Sequence, residues 1–290
     1  MSICIVLKLA APFYIHRVLF TMRGVAGMPT HTIIDSHCHL DFEVFDADRQ
    51  ALIEHCHSLG ISHFIVPGVS HRQWSKLITI CADNLSLDLA LGLHPMFMKQ
   101  HQPSDIEALK WALTDYPAVA VGEIGLDFYD KSHDKTTQIS LFTSQLELAI
   151  EFDLPVILHV RKAHDEVLKL LKQYPVKGGM VHAFSGNMQQ AEHYQKRGFL
   201  FGAGGSITYP RASKTRDVFS QLAIESLLLE TDSPDMPLKG QQGQRNTPKN
   251  LLTVLSTLAE LRGEEESALA AASTANCQRL FNLNDRLVPQ

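Results

Sequence analysis

The sequence predicts a single-domain α/β protein, a (β/α)8 TIM barrel, on three observations. Eight short apolar runs alternate with longer segments whose apolar residues recur every three or four positions. The runs are apolar on both faces, as strands of a parallel sheet buried under helices must be. The alternation fills about 250 residues, the usual size of such a barrel. A doubly wound open sheet is the alternative, but it normally carries a glycine-rich phosphate loop after its first strand, where this chain has His37 and His39.

The opening segment, residues 1–27, differs from the rest. Its apolar start "MSICIVLKLAAPFYI" is interrupted by Lys8 and followed by His16, Arg17 and Arg23. It is too short and broken for a spanning helix, and neither the charge order nor the cleavage site of a signal peptide is clear in it. Met22 and Met28 both offer starts just before the first patterned run, so 1–27 is expected to lie outside the barrel and 28–290 to form it. The strands then follow in order: "HTIIDSH" (31–37), "SHFIVPGV" (62–69), "LDLALGLH" (87–94), "AVAVGEIGLD" (118–127), "PVILHVR" (155–161), "GGMVHAF" (178–184), "FLFGAGG" (199–205) and "SLLLETD" (226–232). Helical periodicity is plain in "ADRQALIEHCHSLG" (47–60), "TQISLFTSQLELAIEFD" (137–153) and "DEVLKLLKQY" (165–174). The tail, "PKNLLTVLSTLAELRG" (248–263) and "EEESALAAASTANCQRLF" (264–281), reads as the last helices packing outside the barrel.

Composition bounds the function only loosely. A net charge of -5 gives no global attraction to nucleic acid or anionic membrane, although a local basic rim is compatible with it. The five cysteines, Cys4, Cys38, Cys56, Cys81 and Cys277, form no C-x-x-C pair, which fits a reducing cytoplasm.

The triplet His-Cys-His occurs twice, at 37–39 and 55–57. Residues two apart on a strand share a face, so His37 and His39 are expected to point together into the barrel mouth. The second triplet lies in a helical pattern, where residues two apart diverge by about 200°, so His55 and His57 read as exposed polar positions. Barrel active sites gather at the C-terminal strand ends, which makes a test of the metal reading. The predicted ends carry His94, Glu123, His159, His182 and Asp232. Singly, each has a structural explanation, as a hydrogen-bonded core histidine or a loop cap. Together, imidazoles and carboxylates facing one mouth match the needs of two divalent ions, with one carboxylate bridging. Zinc, manganese, cobalt and magnesium are the candidates, and the imidazoles argue against magnesium. Asp232 is the candidate to orient an attacking water and take its proton, against the simpler reading of a ligand alone. Arg161, Lys162, Arg211, Lys214 and Arg245 lie in loops that lead to the mouth; Arg245 is favoured for phosphate, Arg161 is a second substrate candidate, and the lysines read as solvated. Phe128, Tyr129, Phe184 and Tyr209 fall in the same loops, where some can stack on bases and the rest pack.

With these residues in place the chain resembles the TatD family of metal-dependent deoxyribonucleases, within the amidohydrolase-like superfamily. The segments that carry the resemblance are "DSHCHLD", "GLHP", "VGEIGLDFY", "PVILHVR", "HAFSG", "ETDSP", "RNTP" and "NCQRLF", from residue 33 to about 283. The resemblance implies that His37 and His39 ligate one metal, Glu123 bridges, His159 and His182 serve the second metal, Asp232 completes the site and handles the water, and His94 lies near the substrate. It also implies DNA as the partner, single-stranded or at 3′ ends, and a 3′ to 5′ exonuclease as the activity. A monomer without a membrane partner is expected. Glu123 stands where many two-metal relatives carry a carbamylated lysine. Thr247 replaces the usual acidic residue after "RN". A hydrolase of an ester or amide bond, of lactonase, deaminase or deacylase type, is the alternative, because the same hydroxide attacks a carbonyl carbon.

Overall fold

The computed structural model describes residues 32–132 and 134–283. The expectation for 1–27, and Cys4 with it, lies outside the described residues. The chain runs β1 (Ile33–Asp35), α1 (Arg49–Ser58), β2 (Ile61–Pro67), α2 (His71–Asp83), β3 (Leu87–Leu91), α3 (Asp105–Asp115), β4 (Ala120–Asp127), α4 (Lys135–Glu151), β5 (Val156–Arg161), α5 (His164–Gln173), β6 (Gly179–Val181), α6 (Met188–Gln195), β7 (Phe199–Ala203), α7 (Ser213–Gln221), β8 (Leu227–Leu229), α8 (Leu251–Arg262) and α9 (Glu266–Phe281). The eight strands form one parallel sheet in sequential order, β1 to β8. Ser36 N donates to Leu229 O at 2.9 Å, which brings the first and last strands together. The (β/α)8 barrel is therefore the fold, as the alternation requires.

The double-sided burial of the strands is visible as two apolar clusters. Ile34, Ile65, Ala90, Ala120, Ile157, Met180, Leu200 and Leu228, one from each strand, pack together inside the barrel. Cys277 and Phe281 of α9 and the following Leu283 join this interior cluster. Truncating a member such as Ile65 to alanine costs about 2 to 5 kcal/mol. The alternate positions, for example Phe64, Val66, Leu89, Leu91, Leu158 and Phe201, belong to the outer cluster with Leu77, Leu109, Phe142 and Val167 of the helices.

Local signals set the helix ends. Asn187 and Gln190 close a reciprocal capping box at the start of α6, and Asp134 accepts from Thr137 N at 2.7 Å to open α4. Gly263, at φ 64°, ends α8 in the left-handed conformation that glycine adopts without strain. No helix among the described residues is long and apolar enough to cross a membrane.

The strand limits differ from those the sequence suggests. β1, β3, β6 and β8 stop before His37, His94, His182 and Asp232, whereas β4 and β5 run past Glu123 and His159. Apolar runs mark where a strand is buried, while pairing ends where neighbouring backbones diverge at the mouth, so the two limits need not coincide.

Candidate metal centre

The pleat places most of the site. Ile157 and Met180 face the barrel interior, so His159 and His182, two residues on, face it one layer higher. Ala90 and His94, and Leu228 and Asp232, keep the same phase although their ladders have ended. Glu123 does not follow from the pleat of the first residues of β4. Ala120 faces inward, and a register shift between Val121 and Ile124 resets the alternation, so that Glu123 and Asp127 both turn inward. His37 and His39 are also out of phase: they share parity with the outward Ile33, and a continued strand would carry both away from the mouth. They reach it because the chain leaves β geometry after Asp35, with Cys38 N donating to Ile65 O at 3.1 Å and His39 N to Ser233 O at 2.7 Å. The pairing of the two histidines holds, while its strand-alternation reason is corrected.

Glu123, 1% exposed, is the hub. Its Oε2 lies 3.1 Å from His37 Nε2 and 3.5 Å from His39 Nε2. Its Oε1 lies 2.9 Å from His94 Nε2, 3.1 Å from His159 Nδ1 and 3.4 Å from His182 Nε2. Asp232 Oδ1 completes the first set, 3.4 Å from His37 Nε2 and 3.6 Å from His39 Nε2. Each carboxylate oxygen of Glu123 thus has its own group of imidazoles. Two of the rings are held from behind as well, His39 Nδ1 at 3.2 Å from Pro67 O and His159 Nε2 at 3.2 Å from Asp127 Oδ2, while Glu230 Oε1 approaches His182 Nδ1 to 3.4 Å without a hydrogen bond.

The donor set fits metal. Two ligands on a tetrahedral ion at about 2.1 Å are separated by about 3.4 Å. The four distances around His37 and His39, from 3.1 to 3.6 Å, bracket that value. Neither ring nitrogen of His37 makes a hydrogen bond of good geometry although the residue is fully buried, an arrangement that costs free energy unless an ion meets the ring. The ligand atoms of His37, His39 and Glu123 converge closely enough to hold one ion, and so do those of His94, Glu123 and His159.

Electrostatics point the same way. Burial by itself would raise the pKa of Glu123, but His94, His182, His37 and His159 override it and hold the carboxyl well below its usual range. Asp232 is lowered against burial by His182, His37 and His39. Burial disfavours charge on His37 and on His159, and the facing carboxylates overcome it, raising His37 well above normal and His159 to about 9. His94 goes the other way, pushed by burial down to about 4. The pocket keeps its acids ionised and calls for positive charge, which bound cations would supply.

The structure brings together His37, His39, Glu123, His159, His182 and Asp232, with His94 inside the same cluster rather than at its edge. Arg161 lies at the rim, its guanidinium 3.8 Å over the Tyr129 ring and 3.9 Å from Asp127 Oδ2. Arg245 is engaged elsewhere: it makes a two-pronged pair with Asp48 at 2.9 and 2.5 Å, donates to Val44 O and lies over Phe45. Phe184 is core, packed on Phe201, whereas Tyr129 is exposed. His55 and His57 are exposed on α1, as the helical reading requires. Sequence reasoning passed over Asp127 and Glu230. Both carried a signal, since Asp127 is in phase with Glu123 and Glu230 precedes Asp232 by two.

A barrel that gathers buried imidazoles and carboxylates at the C-terminal end of its sheet is the architecture of a metal-dependent hydrolase. The model of the TatD related DNase family matches residues 34–282, and the chain belongs to that family. It is 44% identical over 253 residues to the uncharacterized metal-dependent hydrolase YjjV of Escherichia coli K12, covering 86% of this chain and 98% of that protein. The crystal structure of that TatD homolog superimposes with a TM-score of 0.84 at 43% identity, covering 89% of this chain and 98% of the other. The protein named 3′-5′ ssDNA/RNA exonuclease TatD from Shigella flexneri is 29% identical over 259 residues, covering 87% of this chain and 99% of that protein.

Proposed function

We propose that this metal-dependent hydrolase is a 3′ to 5′ exodeoxyribonuclease that holds two divalent ions at the barrel mouth. The observation that carries the reading is the division of Glu123, whose two oxygens face separate groups of histidines. Divalent ions held there would activate a water at neutral pH and stabilise charge on the attacking and leaving oxygens at phosphorus. His37, His39 and Asp232 would hold the first ion with Glu123, and His159, with His94 and His182 beside it, would hold the second. Asp232 is the more accessible carboxylate, its side chain 13% exposed against 1% for Glu123. It can therefore meet a water, orient it and accept its proton. Arg161 at the rim offers a fork of donors for a phosphodiester, which an ester or amide substrate does not require. The name of the Shigella relative, a 3′-5′ ssDNA/RNA exonuclease, supports the same substrate class.

The test is metal analysis of the purified protein with a substrate panel: single-stranded and duplex DNA labelled at either end, a lactone and an amide. Stepwise loss of 3′ nucleotides from single strands is expected, together with about 2 ions per chain. Asp232→Asn should suppress turnover while most of the metal remains. DNA inert in every form, with zinc, manganese, cobalt and magnesium each supplied, while the lactone or amide turned over, would overturn the nuclease reading.

A further inference from the structure

Beside the metal centre the loops after β7 and β8 enclose an open pocket of about 290 Å³, lined by Ser206, Tyr209, Arg211, Ala212, Met236 and Pro237. The lining is mainly apolar, and its shape is fixed. Tyr209 donates its hydroxyl to Pro237 O at 2.7 Å, which locks the ring. Gly205 lets the two loops touch, because a Cβ there would lie 2.4 Å from Met236 O. Asn246 Nδ2 donates to Asp235 O at 2.9 Å and Met236 O at 3.3 Å, and Lys239 N donates to Thr208 Oγ1 at 2.9 Å. These bonds hold the pocket wall before any ligand arrives.

Among the described residues its one cation, Arg211, is engaged only by a ring contact. Arg211 is exposed, sits 5.2 Å from the Tyr209 ring, and pairs with no carboxylate among the described residues, unlike Arg245 with Asp48. The pocket is close to the reacting centre. Met236 follows Asp232 by four residues, a span of at most about 14 Å when extended. The chain between them is folded back by Asp235 N donating to Asp232 O at 2.8 Å, which shortens it further.

We propose that this pocket seats a nucleobase of the substrate strand, packed against Tyr209, Met236 and Pro237, while Arg211 binds the adjoining phosphate. This rests on the nuclease reading and deepens it. A base enters only if it is unstacked from a partner strand, so the pocket selects single strands or frayed ends. Among side chains lining it, Ser206 and Tyr209 bear the only hydroxyls, and that of Tyr209 is spent on Pro237, so little remains to read a base edge. Cleavage should tolerate any sequence.

The experiment compares wild type, Arg211→Ala and Ala212→Phe on three substrates: a short single strand, the same strand lacking its 3′-terminal bases, and bis(p-nitrophenyl) phosphate. Metal content and melting temperature check that each variant is folded. For both variants the ratio of kcat/KM on the strand to that on the small diester should fall about tenfold or more. The baseless strand should be a poorer substrate for the wild type and less sensitive to Ala212→Phe. A fluorescent base analogue at the 3′ end should be quenched on binding the wild type and not on binding Ala212→Phe. Ratios within about twofold of wild type in both variants, or equal turnover of the baseless strand, overturn the pocket while leaving the nuclease reading intact. A wild type that cleaves no oligonucleotide but does cleave the small diester removes the nuclease reading, and the pocket with it.

Discussion

Asp127→Asn tests whether the second group of histidines depends on the carboxylate behind it. Asp127 is fully buried, with Oδ2 3.2 Å from His159 Nε2 and Oδ1 accepting from Tyr129 N at 2.8 Å and Asp130 N at 3.2 Å. Burial would raise its pKa, yet His159 and these amides lower it to about 2, so the group is ionised at any working pH. Its backbone is fixed independently, since Gln138 exchanges two hydrogen bonds of 2.9 Å with Asp127 N and O. Asparagine therefore keeps the position but has a single acceptor oxygen. Aimed at His159, it turns its NH2 against two amide donors; aimed at the amides, it offers His159 a donor where an acceptor stood. Either orientation forfeits a hydrogen bond to a charged group, about 1.5 to 3 kcal/mol. That is about 10- to 150-fold in a binding constant, which agrees with the effect expected for the outer partner of a metal-binding histidine. Competition against a chromogenic chelator should show weaker binding at the site built on His159, with the site built on His37 and His39 changed little. Equal chelator curves for variant and wild type would refute the dependence of His159 on Asp127.

Other outcomes follow from the same geometry. His37→Ala or His39→Ala should abolish turnover and lower metal content, whereas His55→Gln with His57→Gln should leave both near wild type; elemental analysis with kinetics decides, and the reverse pattern sinks the placement of the two triplets. A chain begun at Met28 should keep metal content and activity, and insoluble or metal-free protein would show that residues 1–27 belong to the fold. His164 is buried on α5 against Tyr194 and Phe184, and desolvation lowers its pKa to about 4. An unfolded histidine takes a proton near pH 6.5 and the folded one does not, so its stability contribution is complete above that pH. As pH falls from about 6.5 to 4 it should be lost, to a limit of about 3 kcal/mol. Denaturant titrations of wild type and His164→Gln across this window should converge by that amount, and a constant difference between them would refute the assignment.

The barrel was legible because its rule is simple. Strands buried on both faces must be apolar throughout, so the eight runs stood out without any tertiary information. The metal centre was legible because barrels collect function at one end, which turned scattered residues such as His94, His159 and Asp232 into a single question. Identity could be read in this way; partnership could not. Arg245 looked free in the sequence because Asp48, nearly two hundred positions earlier, carries no mark of its pairing. Asp127 and Glu230 went unassigned because a carboxylate set behind a site histidine looks, in one dimension, like any other acid near a strand end.

The harder lesson is one of phase. Strand alternation correctly aims His159 and His182, whose strands run regularly from the inward Ile157 and Met180. It fails for Glu123 and for the His37 and His39 pair, the residues through which the first group meets the hub. Counting from Ala120, Glu123 should face the helices, and counting from Ile34, so should His37 and His39. The register shift in β4 and the departure of the chain after Asp35 each reverse the phase. Both reversals are needed, for either alone would leave Glu123 or its histidines buried in the apolar outer layer, at the cost of an unpaired polar group there. An irregularity that moves a charged or imidazole group from the helix layer to the mouth is a functional feature of the backbone. Local breaks in an otherwise regular barrel therefore place one half of this site, and reading by period alone must stop there.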